Sequence, residues 1–400
     1  EARYRGAERI DAPQSAVLPG LVNAHTHVPM ALFRGIADDR ALMDWLQNFI
    51  FPAEAKNVDE EFVRWGTRLA AAEMIRTGTT TFADMYYFEA ALAEEARAAG
   101  LRGVLGETLI DFPAPDNKTW EDAIRYARAY AAQFKGDPLI TPALAPHAPF
   151  TVSKEHLLEV RRLATELGVP ILIHVSETKD EVRQVEQKQG DRPVAYLDSI
   201  GFLADDVVAA HTVHLSAQEI WILAERRVGS AHNPESNMML ASGVAPVVDL
   251  LAAGVDVGIG TDGPAGSNND LDMVSEMASA ARLQKVFRED PRALSARKVL
   301  ELATIGGARA LGLGSRIGTL EAGKRADLIV IDLSEAGTQP VYSVESAIVY
   351  ATSGEQVTDT IVEGKVLMRA REILTVDEDA AIAKAREYRT RILQSLGAPN

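Results

Sequence analysis

The chain has 400 residues, 47% of them hydrophobic and 24% charged, so it can bury a sizeable core. Its 57 acidic and 41 basic residues give a formal net charge of −16, which argues against binding to nucleic acid or to an anionic membrane. Cysteine is absent, which excludes disulfides and thiol nucleophiles, and no apolar run approaches the ~20 residues of a membrane span. The first residues are charged and show no apolar signal segment, so we expect a cytoplasmic protein.

Residues 18–313 alternate apolar, β-branched runs with amphipathic helical patterns. The runs are nearly continuous in apolar residues, as is typical of parallel strands that are covered on both faces. Eight runs are predicted to be strands, at 21–27, 79–85, 101–110, 139–149, 169–177, 207–215, 227–234 and 256–263. Eight strands, each followed by a helix, predict an α/β protein with a (β/α)₈ TIM barrel.

The pattern changes after residue 313, where short apolar runs are separated by glycine-containing turns. We expect residues 314–372 to form a small β-sandwich beside the barrel, with residues 1–17 as its N-terminal part. Residues 373–400 are rich in alanine and charged residues and predict a closing helix.

Histidines and one aspartate lie at the predicted ends of several barrel strands. His25 and His27 end the first strand, and alternate residues of a strand point to the same side. His174 ends the fifth strand, His211 lies in the sixth and Asp262 ends the eighth. Because the carboxyl ends of barrel strands form one face, these side chains are expected to converge on one cation. Imidazole and carboxylate suit zinc, with iron as the second choice. The alternative is that they are unrelated core or surface residues.

The same region carries a set of longer motifs in a fixed order. They are PGLVNAHTHVPMALFRG, HVSETKDEV, AAHTVHL, HNPESNMMLASG, GTDGPAGSNNDLDM and EAGKRADLIVID. From about residue 17 to 335 the chain resembles the amidohydrolase superfamily, and within it the methylthioadenosine/S-adenosylhomocysteine deaminase branch and its triazine-hydrolase relatives. The resemblance implies metal-dependent hydrolytic deamination of an adenine nucleoside, which gives the inosine analogue and ammonia.

The resemblance also implies a ligand set for one divalent metal ion: His25, His27, His174 and Asp262. It places His211 beside the metal, either orienting the attacking hydroxide or binding as a weaker ligand. Asp262 would serve in addition as the base for the attacking water. Binuclear relatives use a carboxylated lysine on the fourth strand, and the run 139–149 has no lysine. A mononuclear site is therefore expected.

Glu177, three residues after His174, is implied to bind the substrate and to protonate a ring nitrogen. The alternative is a solvated charge in the run ETKDE. Three further residues, Trp45, Glu54 and His147, match the substrate pocket of the nucleoside deaminases. Glu54 suits the vicinal diol of a ribose, and His147 ends a strand on the catalytic face, whereas Trp45 fits core packing equally well.

The substrate is less closely defined by the sequence. S-Adenosylhomocysteine carries a carboxylate that needs a cation, and the loop DFPAPDNKTWED offers no clear one, although Arg34 and Arg102 are candidates. This favours 5′-methylthioadenosine or adenosine. The alternatives are an amino- or chloro-triazine hydrolase, a guanine-type deaminase, or a non-catalytic scaffold. A homo-oligomer, dimer or tetramer, is also expected.

Overall fold

A computed structural model describes residues 9–397 of the chain. Residues 1–8 of the expected N-terminal β segment and residues 398–400 of the expected closing helix lie outside this range. The described strands are β1 Ser15–Pro19, β2 Leu21–Thr26, β3 Thr79–Tyr86, β4 Arg102–Leu109, β5 Ile140–Pro146, β6 Ile171–Val175, β7 Val207–His211, β8 Gly229–His232, β9 Val257–Ile259, β10 Leu328–Asp332, β11 Val357–Val362, β12 Lys365–Arg369 and β13 Glu372–Ile373.

The strands are connected mainly by α-helices. The helices are α1 Leu42–Asp44, α2 Phe51–Asn57, α3 Glu60–Arg76, α4 Glu89–Ala99, α5 Trp120–Gln133, α6 Lys154–Leu167, α7 Lys179–Gln189, α8 Pro193–Ser199, α9 Ala217–Arg226, α10 Pro234–Met239, α11 Val247–Ala252, α12 Met273–Arg288, α13 Ala296–Glu301, α14 Gly307–Ala310, α15 Val344–Ala351 and α16 Glu378–Leu396. Short 3₁₀ segments lie at Val28–Phe33 and Gly354–Gln356, and π-helical segments at Trp45–Ile50 and Leu302–Gly306.

Strands β2 to β9 form a closed parallel barrel in sequence order, which confirms the predicted (β/α)₈ fold. The barrel closes between β2 and β9, where Asn23 pairs with Ile259. The Asn23 amide also donates to Thr261 Oγ1 at 2.8 Å and accepts from Thr261 N–H at 3.1 Å. These side-chain bonds extend the closure beyond the short strand β9, toward the carboxyl face of the barrel.

Several barrel strands end earlier than the sequence predicts. The chain leaves the extended conformation at residues with positive φ, including Ser176 (56°), His211 (70°) and Asp262 (63°). Non-glycine residues rarely adopt this conformation, and such strain concentrates at functional sites. The apolar runs continue past these turns, so hydrophobicity alone overestimates the strand lengths.

The remaining strands form a second sheet, antiparallel, in the order β1-β10-β11-β12-β13. It draws one strand from before the barrel and four from after it, and β1 pairs with β10 from Ser15–Asp332 to Pro19–Leu328. Thr360 of β11 donates a hydrogen bond of 2.8 Å to the carbonyl of Ile75 in α3, so the sheet packs on the outside of the barrel. This sheet fits the small additional domain that the sequence predicts.

Helices α3 and α16 pack together outside the barrel, with the rings of Phe62 and Tyr388 5.4 Å apart in a T-shaped contact. Within residues 9–397, we find no helix that is both long enough and apolar enough to span a membrane.

Candidate active site

Four imidazoles and one carboxylate meet at the carboxyl face of the barrel. His25 lies near the end of β2 and His27 just after it, His174 lies in β6, His211 ends β7 and Asp262 follows β9. Asp262 Oδ1 lies 3.3 Å from His25 Nε2 and 3.2 Å from His27 Nε2. His174 Nε2 lies 3.3 Å from His27 Nε2. The five side chains predicted to converge therefore do so, and His25, His174, His211 and Asp262 are buried.

The hydrogen bonds that His27 and His174 make through Nδ1 define which ring nitrogen carries the proton. His27 Nδ1 donates to the carbonyl of Met85 at 2.6 Å, and His174 Nδ1 donates to the carbonyl of His147 at 2.8 Å. In a neutral imidazole a protonated Nδ1 leaves Nε2 as a bare lone pair. Two such lone pairs 3.3 Å apart repel each other unless a proton on His27 Nε2 or a metal cation lies between them. The donor set therefore fits a metal ion, and carbonyl acceptors behind the histidines are the usual support for metal ligands.

The electrostatics of the cluster agree with this fit. Burial, which outweighs the opposing effect of Asp262, lowers the pKa of His25 to about 4. Burial and the neighbouring histidines hold the pKa of His174 well below its usual range, so both rings are neutral at pH 7. Burial also acts to lower the pKa of His27, but the hydrogen bond and the charge of Asp262 raise it to about 9. A proton on His27 Nε2 and a cation compete for the same position beside Asp262.

Two overlapping groups in the described part of the chain have the spacing of metal ligands. They are His25, His27 and Asp262, and His25, His174 and His211. The cluster that can bind a metal thus includes His211, whose ring centre lies 5.3 Å from that of His25. Strand β5 carries no lysine, in line with the expected mononuclear site.

Glu177 lies beside this cluster, in the turn after β6, and is 6% exposed. Its Oε2 lies 3.7 Å from His211 Nε2, and its Oε1 accepts a hydrogen bond of 3.1 Å from Ser242. Glu181 holds the turn itself, because its carboxylate accepts from the N–H groups of Ser176 and Glu177 at 2.7 and 2.6 Å. Burial raises the pKa of Glu177, which therefore keeps a proton more readily than a carboxyl group in water. Glu177 is not the solvated charge of the alternative interpretation.

A cavity of about 660 Å³, counted up to its open mouth, lies directly above the cluster. The three residues that the sequence suggests for substrate binding, Trp45, Glu54 and His147, all lie in its wall. Trp45 is also fixed to the opposite side of the mouth, since its indole N–H donates to the carbonyl of Ala265 at 2.8 Å. Most of the remaining wall is apolar or aromatic: Met30, Leu42, Leu46, Ile50, Phe51, Met85, Tyr86, Tyr87, Phe150 and Leu240.

Glu54 is a buried carboxyl group in this largely apolar wall. It is 4% exposed, and its Oε1 accepts a hydrogen bond of 2.8 Å from the hydroxyl of Tyr86. Burial, only partly offset by that bond and by the charge of His27, raises the pKa of Glu54 to about 7. Its second oxygen carries no hydrogen bond from the described protein groups and can accept one from a bound molecule.

The two arginines considered for a substrate carboxylate lie elsewhere. Arg102 starts β4, at the opposite end of the barrel, and its buried guanidinium pairs with Asp327 and Glu363. Arg34 forms an ion pair with Glu73. Of the cavity-lining residues within 9–397, none is an arginine or a lysine.

The sequence interpretation missed several polar residues that contact the site. Tyr86 supports Glu54, and Ser236, Asn237 and Ser242 contact Asp262, His211 and Glu177. The last three lie in the quoted motif HNPESNMMLASG, directly after a barrel strand. Small polar residues directly after a barrel strand, on the catalytic face, are the feature of the sequence that could have indicated these contacts.

The fold and this cluster, which could bind a metal, are those of a hydrolase, and the chain belongs to the amidohydrolase family, whose model matches residues 16–367. It is 50% identical over 385 residues to the 5-methylthioadenosine/S-adenosylhomocysteine deaminase of Syntrophobacter fumaroxidans. The aligned region covers 96% of this chain and 87% of that protein.

Two solved structures resemble it. One is an adenosine deaminase from Xanthomonas campestris with bound zinc, at a TM-score of 0.94 and 46% identity, covering 96% of this chain and 87% of that one. The other is an atrazine chlorohydrolase from Arthrobacter aurescens complexed with zinc, at a TM-score of 0.87 and 23% identity, covering 94% and 88%. The second likeness shows the shared fold alone.

Proposed function

We propose that this protein removes the amino group of an adenine nucleoside by hydrolysis, giving the inosine analogue and ammonia. One observation carries the proposal. A buried carboxyl group, Glu177, stands beside a cluster of metal-ligating type at the floor of a cavity whose wall holds a second buried carboxyl group, Glu54. The first arrangement suits deamination of a ring, and the second suits a sugar diol. Relatives named as adenosine and methylthioadenosine deaminases support this assignment.

The metal ligands of the proposal are His25, His27, His174 and Asp262, with His211 next to them. Imidazole and carboxylate donors without thiolates suit zinc, and the similar adenosine deaminase structure, at 46% identity, contains zinc. When bound there, a divalent cation supplies the Lewis acidity that makes a water molecule nucleophilic at neutral pH.

The protein side chains handle the protons. Asp262 accepts the proton of the attacking water. Burial acts to raise the pKa of Asp262, but hydrogen bonds from His25 and His27 hold it well below its usual range, so this carboxylate is ionised beforehand. His211 presents Nε2 toward Glu177 and orients the attack.

Glu177 supplies the proton that the ring needs. It delivers this proton to the ring nitrogen next to the amino-bearing carbon while the water oxygen forms its bond to that carbon. The bond from carbon to the amino nitrogen then breaks. Of the two water protons, one restores the proton that Glu177 gave away, and the other leaves with ammonia. Such proton transfer typically contributes about 10²–10⁴-fold to the rate.

The cavity favours a nucleoside with an uncharged 5′ group. An ionised Glu54 accepts hydrogen bonds from the two ribose hydroxyls, a feature for which a triazine or a free guanine has no use. The wall within residues 9–397 offers no arginine or lysine for the carboxylate of S-adenosylhomocysteine. 5′-Methylthioadenosine and adenosine are therefore the preferred substrates.

The domain boundaries, the cytoplasmic location and the assembly into a dimer or tetramer stay predictions.

An ammonia-release screen tests the proposal. The zinc-loaded protein is assayed with adenosine, methylthioadenosine, S-adenosylhomocysteine, guanine and melamine at equal concentrations. We expect the highest kcat/KM for the first two. Release from melamine alone would favour the triazine alternative, and no release from any compound would favour the scaffold.

A further inference from the structure

One short segment, residues 234–242, contacts three of the side chains that act in the proposed mechanism. It comprises α10 and the turn after it, just beyond β8. The segment makes one side-chain hydrogen bond to each of the three: Ser236 Oγ to Asp262 Oδ2 at 2.6 Å, Asn237 Oδ1 with His211 Nδ1 at 3.1 Å, and Ser242 Oγ to Glu177 Oε1 at 3.1 Å. The contacting residues are all buried, from 0% to 7% exposed.

The three contacts follow one rule. Asp262, His211 and Glu177 each have two polar atoms, and the segment binds one atom of each. The other atom faces the site: Asp262 Oδ1 lies 3.2 Å from His27 Nε2, and Glu177 Oε2 lies 3.7 Å from His211 Nε2. The segment thus fixes which end of every group is presented to the substrate and the metal ligands.

We propose that the 234–242 segment is the positioning element of this active site, an inference that rests on the proposed function. Its polar side chains are positioning residues, because they act through Asp262, His211 and Glu177 without contacting the reacting atoms.

The contact to Glu177 has a specific chemical consequence. The Ser242 hydroxyl donates to Oε1, and the carbonyl oxygen of a carboxylic acid is a better acceptor than its hydroxyl oxygen, so this bond favours the form in which Oε2 carries the proton. Oε2 is the oxygen next to His211. Ser242 therefore directs the proton toward the ring nitrogen of the substrate. In the same way, Asn237 Oδ1 keeps a proton on His211 Nδ1 and leaves Nε2 as the acceptor facing the site.

The segment is also anchored on its outer side. Glu235 Oε1 accepts hydrogen bonds of 2.7 Å from both Ser275 and Ser279 on α12. A helix of the outer layer thereby holds the segment against the barrel mouth, so its side chains do not need to order themselves during each turnover.

A double-variant experiment on the zinc-loaded enzyme tests the inference. Ser242→Ala should lower kcat for methylthioadenosine about 10–100-fold, the usual cost of losing a group that supports an active-site ligand. The KM and the zinc content should stay at their wild-type values. Ser242→Thr, which keeps the hydroxyl, should recover most of the loss. As a matched control, Thr360→Val removes a buried hydroxyl bond of 2.8 Å in the second sheet and should leave kcat unchanged.

The decisive comparison uses the Glu177→Gln background. If Ser242 acts through Glu177, Ser242→Ala causes no further loss there. An equal fold-loss in both backgrounds would show a general structural effect and overturn the inference, as would wild-type kcat in Ser242→Ala. These outcomes differ from failure of the proposed function, which would appear as undiminished activity in Glu177→Gln itself.

Discussion

At the scale of single residues, the proposed metal ligands and the proposed proton donor differ in the groups that hydrogen-bond to them on the side away from the cavity. His27 and His174 have backbone carbonyls behind Nδ1, which leave Nε2 free for a metal. Glu177 has a serine hydroxyl behind it, and burial raises its pKa, which fits the role of proton donor that we propose for it. The environment of each side chain, more than its identity, therefore assigns its role.

Replacing Glu177 tests this separation of roles. Glu177→Gln should lower kcat by about 10²–10⁴-fold, because the amide cannot deliver a proton to the ring nitrogen. The zinc content, measured by elemental analysis, should stay at the wild-type value, since the proposed ligand set does not include Glu177. Retained turnover would remove Glu177 from the mechanism, and loss of zinc would mean that it contributes to the metal site.

The acidity of Glu54 predicts how binding depends on pH. Only the ionised carboxylate accepts hydrogen bonds from both ribose hydroxyls, and burial raises the pKa of Glu54 to about 7. A nearby dication favours the ionised form, so the transition in the loaded enzyme falls at or below that value. The KM for methylthioadenosine should therefore rise as the pH is lowered through this range.

Glu54→Gln provides the control for this profile. The glutamine does not titrate, so the KM should be higher at neutral pH and should not rise further in acid. The same acid rise in wild type and variant would exclude Glu54 as its cause.

At the scale of elements, the metal site depends on the close approach of two barrel strands. A Cβ atom added at Gly260, just after β9, would lie 2.7 Å from the backbone nitrogen and 2.9 Å from the carbonyl oxygen of His25. No side chain fits there unless β2 moves. The small residue therefore allows β9 to support the strand that carries two of the ligands.

Gly260→Ala should accordingly displace His25 and weaken zinc binding by about tenfold or more, in the range that disturbed ligand orientation costs. Competition with a chromogenic chelator measures this change. Gly337→Ala is the matched control, because an added Cβ there meets no atom within 4 Å. Equal zinc affinity in wild type and Gly260→Ala would show that β2 tolerates the shift.

A second pair of elements is joined by a buried ion pair. Arg102 at the start of β4 donates to Asp327 Oδ2 at 2.8 Å and to Glu363 Oε2 at 2.7 Å, and its side chain is 2% exposed. It links the closed end of the barrel to the strands of the second sheet. Its function is therefore structural, which explains why a charged residue is tolerated at this buried position.

Arg102→Met leaves Asp327 buried without its partner and should lower the free energy of unfolding by about 3–5 kcal/mol. Denaturant unfolding of the zinc-loaded protein measures the change, and kcat of the folded enzyme should remain as in wild type. Arg128→Met breaks a more exposed pair with Glu166 and should leave the stability nearly unchanged. Equal effects of the two variants would contradict a structural role of the buried pair.

At the scale of the whole molecule, the sequence predicts the repeated strand–helix pattern but not the irregular turns at which individual strands end. Eight apolar runs separated by helices specify a closed barrel, and this prediction is confirmed. Convergence of His25, His27 and Asp262 could also be predicted, because carboxyl strand ends share one face. The ends of the strands could not be predicted, because the turns with positive φ at His211 and Asp262 do not change the hydrophobic pattern of the sequence.

The contacts of three polar residues with the site could not be predicted from the sequence for a different reason. Ser236, Asn237 and Ser242 belong to one loop and meet residues that lie on three other elements, so no local spacing reveals their partners. Arg102 lies at the start of β4, at the end of the strand away from the catalytic face, which separates it from the pocket. The partners of Ser236, Asn237 and Ser242 require the three-dimensional course of the chain, whereas the exclusion of Arg102 needs only its place in the predicted strand.

In the proposed function, one divalent metal ion, held by these histidines and Asp262, makes this fold a deaminase. Zinc titration of the chelator-treated protein, with ammonia release from methylthioadenosine as the readout, tests it most directly. We predict no activity without metal and a linear rise that ends at one zinc per chain. Full activity in the metal-free protein, or a rise that continues to two zinc ions per chain, would contradict the account.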